Sequence, residues 1–281
     1  MIEGRGIVTR TLRLYLPLGV CLVAMLFPFY WMLITSIKPN SELYNARIMP
    51  LVVYHPTLKH YVDLLTQTNF LTWTYNTMLV AVVTTTVSLV LGTMIAYPLA
   101  RMNFPGAAVV AIGVAATYLV PQPLLFIPMA DIINKLELGN TLSAVMLTYP
   151  TLLIPFSAWL LMGYFKSVPR ELEEAARIDG ASRFQAMWRV VLPLTTPGLL
   201  SAGIFSFTLA QNEFLYALIF LSKSEVRTVP VGAITELIRG DVFYWGQLMA
   251  AALLGSIPVA VIYSFFVDYY VAGLTAGSVK S

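Results

Sequence analysis

The chain has 281 residues, of which 58% are hydrophobic and 11% charged, with a formal net charge of +3. A soluble domain carries about a quarter charged residues, so this composition excludes a water-soluble globule and points to a lipid-embedded helical bundle. The scattered basic residues leave no electrostatic footprint for nucleic acid, and the single cysteine, Cys21, can neither pair within the chain nor complete a metal site.

A helix needs about 20 apolar residues to cross the hydrocarbon core, and six stretches of that kind are predicted in chain order. The first, 14–37, follows Arg5, Arg10 and Arg13 and opens like a secretory signal. It is too long for a signal core and no cleavage site follows, so it reads as an uncleaved span. Cys21 lies inside it and reads as a buried small hydrophobe. Residues Ile2 to Arg5 spell a common protease-tag recognition site. Between Pro39 and Asn69, the residues Leu58, Tyr61, Val62 and Leu65 recur at helical spacing and predict an amphipathic helix. His55 and His60 belong to that segment, but no acidic or cysteine ligand stands alongside, so no metal is expected.

The second span is predicted at 73–100 and the third at 107–130, the latter interrupted by Pro121, Pro123 and Pro128, each of which removes a backbone donor. The fourth, fifth and sixth are predicted at 141–165, 195–221 and 247–272. Six spans put both termini on one side. With the termini cytoplasmic, the inner segments hold ten basic residues (Arg5, Arg10, Arg13, Arg101, Lys166, Arg170, Arg177, Arg183, Arg189, Lys280). The outer segments hold seven (Lys38, Arg47, Lys59, Lys135, Lys223, Arg227, Arg239), a bias that favours this orientation.

One inner segment, Lys166 to Pro193, is long and reads as two short helices. Pro169 suits a first helical turn, Glu171, Glu173 and Glu174 complement the positive end of the dipole, and Gly180 supplies the stop. Ser182 with Gln185 then forms a capping box that opens the second helix, which runs into Leu192 and Pro193. Apolar stripes are predicted along Leu172, Ala175 and Ala176 and along Phe184, Met187, Trp188 and Val191. A capped, charged pair of this kind suits contact with a partner protein; rest on a lipid surface is the alternative.

Glu174-Ala175-Ala176, three residues, Gly180, nine residues, Val190, one residue, Leu192-Pro193 resembles the EAA loop of ABC importer permeases, with valine where isoleucine is usual. Phe104-Pro-Gly after Ala100-Arg101, Asn212-Glu-Phe-Leu, and the ending Gly273-Leu-Thr-Ala-Gly-Ser-Val-Lys280 resemble the carbohydrate-uptake, MalG-like permeases of binding-protein-dependent importers. The final span ends in Asp268-Tyr-Tyr where a more basic boundary is expected, which leaves Asp268 without a role.

The resemblance implies an all-α, six-span type I importer permease fold with cytoplasmic coupling helices, multi-pass in the inner (plasma) membrane. Its parts are a cytoplasmic segment 1–13, a permease domain 14–272 that includes the coupling loop 166–193, and a cytoplasmic tail 273–281. The implied function is translocation of a sugar or oligosaccharide delivered by an extracytoplasmic binding protein, and the subunit is not an enzyme. Implied partners are a second, homologous permease subunit in a heterodimer, two cytoplasmic ABC ATPase subunits and the solute-binding protein.

The chain carries no Gly-rich loop ending in Gly-Lys-Ser or Gly-Lys-Thr, so no cofactor is expected here; ATP and Mg belong to the partner ATPase. By the resemblance, Glu174, Ala175, Ala176, Asp179, Gly180, Leu192 and Pro193 couple to that ATPase, and Gly277, Ser278 and Lys280 of the tail reach toward it. Glu213 is the acidic residue near mid-span, where charge is costly. It makes a possible substrate pathway with Asn76, Gln211, Asn212 and Tyr216, against interhelical hydrogen bonding as the alternative. The same loop also occurs in permeases for polyamine, phosphate, amino-acid and other non-sugar solutes such as glycerol phosphate. An ion-coupled secondary carrier would want paired intramembrane charges and an internal repeat, which this sequence does not display.

Overall fold

The computed structural model describes residues 11–276, except for the side chains of Leu12 and of residues 268–276. The expected tail contacts Gly277, Ser278 and Lys280, and the Asp268 side chain, lie outside what is described. In chain order the principal helices are α1 (Leu16–Ile37), α2 (Lys59–Gln67), α3 (Phe70–Arg101), α4 (Ala107–Tyr118), α5 (Phe126–Lys135), α6 (Leu142–Thr148) and α7 (Pro150–Ser167). They continue with α8 (Arg170–Ile178), α9 (Arg183–Ala186, carried on by a π-turn Met187–Val191 to Leu194), α10 (Thr196–Asn212), α11 (Leu215–Phe220), α12 (Val229–Leu237) and α13 (Trp245–Ala276). A hairpin of β1 (Ile238–Arg239) and β2 (Val242–Phe243) lies between α12 and α13, pairing Ile238 with Phe243 and Arg239 with Val242.

Among the described residues, four helical stretches are long and apolar enough to cross a membrane: Arg13–Ile37, Phe70–Arg101, Leu142–Ser167 and Trp245–Val267. They match the predicted first, second, fourth and sixth spans. The third is not continuous: after α4, which at 12 residues is only about 18 Å long, the chain turns by 98° into the helical stretch Gln122–Lys135. Pro121 and Pro123 lack the donors that would carry α4 onward, and each restricts the residue before it. The fifth is broken at both ends. Arg183–Leu194 meets Thr196–Asn212 at 77°, beside Pro193 and Pro197, and α10 stops at Asn212 because the following side chain starts a new helix, as described below.

The chain divides into two compact units, Met1–Phe70 with Ala233–Ile257 and Leu71–Gly232 with Pro258–Ser281. In the first, α1 is apolar nearly all round yet buries only Ile34, Thr35 and Ser36, so lipid or another chain must cover it. Cys21 is exposed on it, not buried as the sequence suggested, because α1 has so few neighbours within its own unit. On α2 the buried residues are His60 and Leu64, while Leu58, Val62 and Leu65 are exposed. The predicted stripe is therefore turned away from the contact. Polar bonds fix that rotation: the His60 ring meets the Lys38 carbonyl at 2.7 Å and Tyr61 Oη meets Ser36 Oγ at 2.8 Å.

Glu42 lies beside His55, an acidic neighbour that the sequence did not reveal. Its carboxylate accepts the backbone N–H groups of Tyr54 (3.1 Å) and His55 (2.8 Å) and pairs with His55 Nδ1 at 3.0 Å. Burial pushes this carboxyl up, but the hydrogen bonds and the His55 charge outweigh it and hold it below the usual carboxylate range.

In the second unit α3, α7 and α10 approach closely. A Cβ on Gly92 would meet Ser157 Cβ at 2.9 Å, one on Gly198 would meet the Tyr164 ring at 2.3 Å, and Ser157 Oγ pairs with Ser206 Oγ at 3.0 Å. Small residues and buried hydroxyl pairs are what hold helices together where lipid removes the hydrophobic driving force. Two apolar clusters result, one around Tyr149, Tyr216, Phe220 and Val231, the other around Tyr97, Leu161, Phe165, Met187 and Val191.

Candidate functional site

Two features of the second unit carry the chemistry: the short helix pair α8–α9 and a cavity where broken helices meet. The pair is built by local signals. Extended Val168 and Pro169 end α7 and open α8. At its other end Gly180 takes φ +92°, Gly180 N–H donates to Arg177 O (3.1 Å) and Ala181 N–H to Ala176 O (3.0 Å). That two-bond pattern closes the helix and favours glycine, because an L side chain there enters the left-handed region. Two residues on, Ser182 and Gln185 exchange reciprocal bonds of 3.2 and 2.8 Å, the capping box read from the sequence.

The predicted stripes divide between the bundle and the exterior. No residue of α8 is buried, and Glu174, Ala175, Asp179 and Gly180 are exposed. On the second helix Ala186, Met187 and Val191 face the bundle, while Phe184 and Trp188 point outward and stack at 6.4 Å. Leu192 is half-buried and Pro193 exposed. With Ile178, 86% exposed, these residues leave an uncovered surface of aromatic, aliphatic and acidic groups.

Arg101, the last residue of α3, holds this pair. Its Nε reaches Glu173 Oε2 at 2.9 Å, one terminal nitrogen donates to Val168 O (2.7 Å) and Phe165 O (3.2 Å), and the other to Pro169 O (3.3 Å). The ion pair is buried, with side-chain exposures of 2% and 14%. Tyr97, one turn earlier on α3, donates to Glu173 Oε1 at 2.7 Å and lies 3.4 Å from Arg183 O. The sequence assigned Glu173 to the helix dipole, and Arg101 to the charge bias and to the Ala100-Arg101 motif of the resemblance. Nothing in a linear reading ties positions this far apart together.

The cavity, of about 570 Å³, lies between the break after α4 and the break after α10. Tyr118, Gln122, Tyr149, Thr151, Asn212 and Glu213 are among its walls. Glu213 holds both breaks: its carboxylate accepts Gln122 Nε2 at 2.8 Å and the N–H groups of Tyr216 (2.9 Å) and Ala217 (3.2 Å). The buried charge is thereby hydrogen-bonded, as a carboxylate at that depth must be. It caps α11 and ties it to the segment after α4. Of the residues named from sequence, Asn212 and Glu213 reach the cavity; Asn76, Gln211 and Tyr216 do not line it. Asn76 instead donates to Glu225 O and Arg227 O at 2.9 and 3.0 Å, and Tyr216 packs against Phe126. Tyr118, Gln122 and Tyr149 were missed, although a glutamine between two prolines marks a polar group at a helix break.

Comparison with known proteins adds the following. The family model described as binding-protein-dependent transport system inner membrane component matches residues 88–275. The chain is 36% identical to the trehalose/maltose transport system permease protein MalG of Thermococcus litoralis, covering 95% of this chain and 97% of that one. It is likewise 36% identical to the sulfoquinovosyl glycerol transport system permease protein SmoH of Agrobacterium fabrum, with 95% and 93% covered. Identity to the diacetylchitobiose uptake system permease protein DasC of Streptomyces coelicolor is 33%, with 93% and 94% covered. Among solved structures, a chain of a bacterial ABC transporter involved in the import of the acidic polysaccharide alginate superposes with a TM-score of 0.78 at 22% identity, over 95% of this chain and 99% of that one. That likeness speaks to the fold.

Proposed function

Because this chain belongs to the family of binding-protein-dependent transport system inner membrane components, a family of multi-pass membrane proteins, we propose that it is the permease subunit of an ATP-driven importer for a sugar or oligosaccharide. The names of its relatives support a saccharide as cargo. The structural observation that carries the reading is the α8–α9 pair: two capped helices, braced by a buried Arg101–Glu173 ion pair, that leave Glu174, Ala175, Asp179, Gly180 and Ile178 uncovered.

In this reading the pair lies on the cytoplasmic face and seats on one of two ATPase subunits, which hold ATP and Mg. A second, homologous permease completes a heterodimer and covers the exposed faces of α1 and α13. A solute-binding protein delivers cargo from outside, both termini are cytoplasmic, and each bent helix pair counts as one of six spans. ATP-driven closure of the ATPases moves the pair, and the bundle alternates between inward-open and outward-open states. Cargo passes by the cavity at the two helix breaks, since irregular backbone at membrane depth is tolerated where it lines a cavity. Gly277, Ser278 and Lys280 extend the ATPase contact, and removal of residues 277–281 tests that part by loss of coupling.

The test is purification from a host expressing the neighbouring transport genes, then reconstitution into vesicles. Copurification of an ATPase and sugar uptake that requires ATP are expected. Solute movement by this polypeptide alone would overturn the reading in favour of a secondary carrier.

A further inference from the structure

The α8–α9 pair is anchored at two places: Ala186, Met187 and Val191 bury the α9 stretch against the bundle, and a polar clamp centred on Arg101 grips α8. Helix α8 has no fully buried residue and rests against the α9 stretch, so little apolar packing of its own ties it to α3 and α7. Its covalent tie to α7 is a pivot of two extended residues, Val168, which is buried, and Pro169. What fixes it is the Arg101 guanidinium, which grips Glu173 on α8 and the carbonyls of Phe165, Val168 and Pro169 around that pivot. Tyr97 supports the same carboxylate.

We propose that Arg101 is a positioning residue for energy coupling: it locks α8 to the ends of α3 and α7, so that force applied to the helix pair moves the bundle instead of swinging α8 about Pro169. The proposal rests on the function proposed above and names the residue through which it works. The planar fork is what the role needs, because one nitrogen faces the carboxylate while the others span the carbonyls, and a lysine ammonium has no such fork. A buried ion pair of this kind adds little net stability compared with apolar packing, but it specifies one geometry.

Spin labels at Glu171→Cys and Leu209→Cys, in a Cys21→Ser background, report the distance from α8 to α10 in the assembled importer by pulsed electron resonance. With Arg101 intact, adding Mg-ATP leaves that distance unchanged, because the two helices move as one body. In Arg101→Ala it is expected to broaden or shift by about 5 Å, the scale of a one-turn helix displacement, and Arg101→Lys gives an intermediate shift.

The paired variant Arg101→Met with Glu173→Met controls for folding, since apolar replacement of both partners retains stability. It is expected to assemble and bind the ATPase, yet to show the same loosened distance. A nucleotide-invariant distance in Arg101→Ala or in the double-methionine variant would overturn the proposal. Absence of any copurifying ATPase would instead overturn the function on which it rests, so the two failures are told apart.

Discussion

Replacing Gly180 by alanine and then by valine separates the energy of the turn from the energy of a contact. The residue sits at φ +92°, and a Cβ built there meets nothing within 4 Å. Within the chain alanine therefore carries only the backbone penalty of the left-handed region, about 1–2 kcal/mol for an L residue, and β-branched valine more. Set against the 5–15 kcal/mol that separates folded from unfolded domains, such a loss leaves the chain folded. Its abundance in the membrane is expected to fall by no more than several-fold.

If the turn seats against the ATPase, each added carbon must also be accommodated at that interface, where overpacking costs about 1–3 kcal/mol. Association and ATP-driven uptake should then fall by roughly 10- to 100-fold for valine, with alanine between. The assay is ATPase copurification and uptake, each normalised to the amount of this chain. Valine at 180 with full association and full uptake would refute the contact. An alanine variant that fails to accumulate would refute the estimate for the turn.

Glu213→Ala strands three donors, Gln122 Nε2 and the N–H groups of Tyr216 and Ala217. At about 1 kcal/mol for each lost bond, a loss of about 3 kcal/mol is expected in detergent melts, with Glu213→Gln losing less. Gly232→Ala places a methyl 2.3 Å from the Trp73 indole, whose Nε1 donates to Ser224 O at 2.8 Å; a loss of about 1–3 kcal/mol from overpacking is expected, and an unchanged melting temperature would contradict the close approach.

The Glu42 carboxyl is held below its ordinary value of 4.5, so its stabilisation of the segment ending at His55 is complete above that value and lost as pH falls through the lower folded one. Amide exchange at Tyr54 and His55 should rise, relative to a reference amide, only on acidification below about 4.5, and Glu42→Gln should abolish that step.

How much was legible from sequence depended on how local each signal is. The capping box at Ser182 and the stop at Gly180 involve residues within five positions of one another, and both stand in the structure as read. The four unbroken spans were legible because hydrophobic length alone defines them. The breaks at Pro121 and Glu213 were less so: proline advertises a kink but not its 98°, and Glu213 ends α10 by a side-chain bond that no hydropathy profile registers. The face of α2 was misjudged for a related reason. In a membrane protein apolar side chains also face lipid or partner chains, so the stripe does not say which face is buried; on α2 the polar His60 and Tyr61 decide it. The Arg101 clamp was invisible because its two charges meet only after the chain has crossed and returned.

The clamp and the cavity lie at opposite ends of α7, and α10 runs beside it from the end of the α9 stretch to the same cavity. Helix α7 begins beside Tyr149 and Thr151 at the cavity and ends at Phe165 and Val168 in the grip of Arg101. Helix α10 begins just past Leu194, where the α9 stretch ends, and finishes at Asn212 and Glu213 in the cavity wall. Each is 17 or 18 residues, about 26 Å. Along their length they meet through Gly198 on the Tyr164 ring and Ser157 on Ser206. Contacts between small, buried groups leave no slack for sliding, since close-packed interiors transmit displacement in place of absorbing it. Under the proposed function, a push on α8–α9 therefore arrives at the cavity as a tilt of α7 and α10 together. At that end the chain leaves regular helix at Val120 and Pro121 and at the link of Glu213 and Phe214, both braced by the Glu213 carboxylate. These are the two edges of the cavity, and Glu213 spans both, so the carboxylate that satisfies a buried donor set also stands where the bundle must bend for the cavity to open.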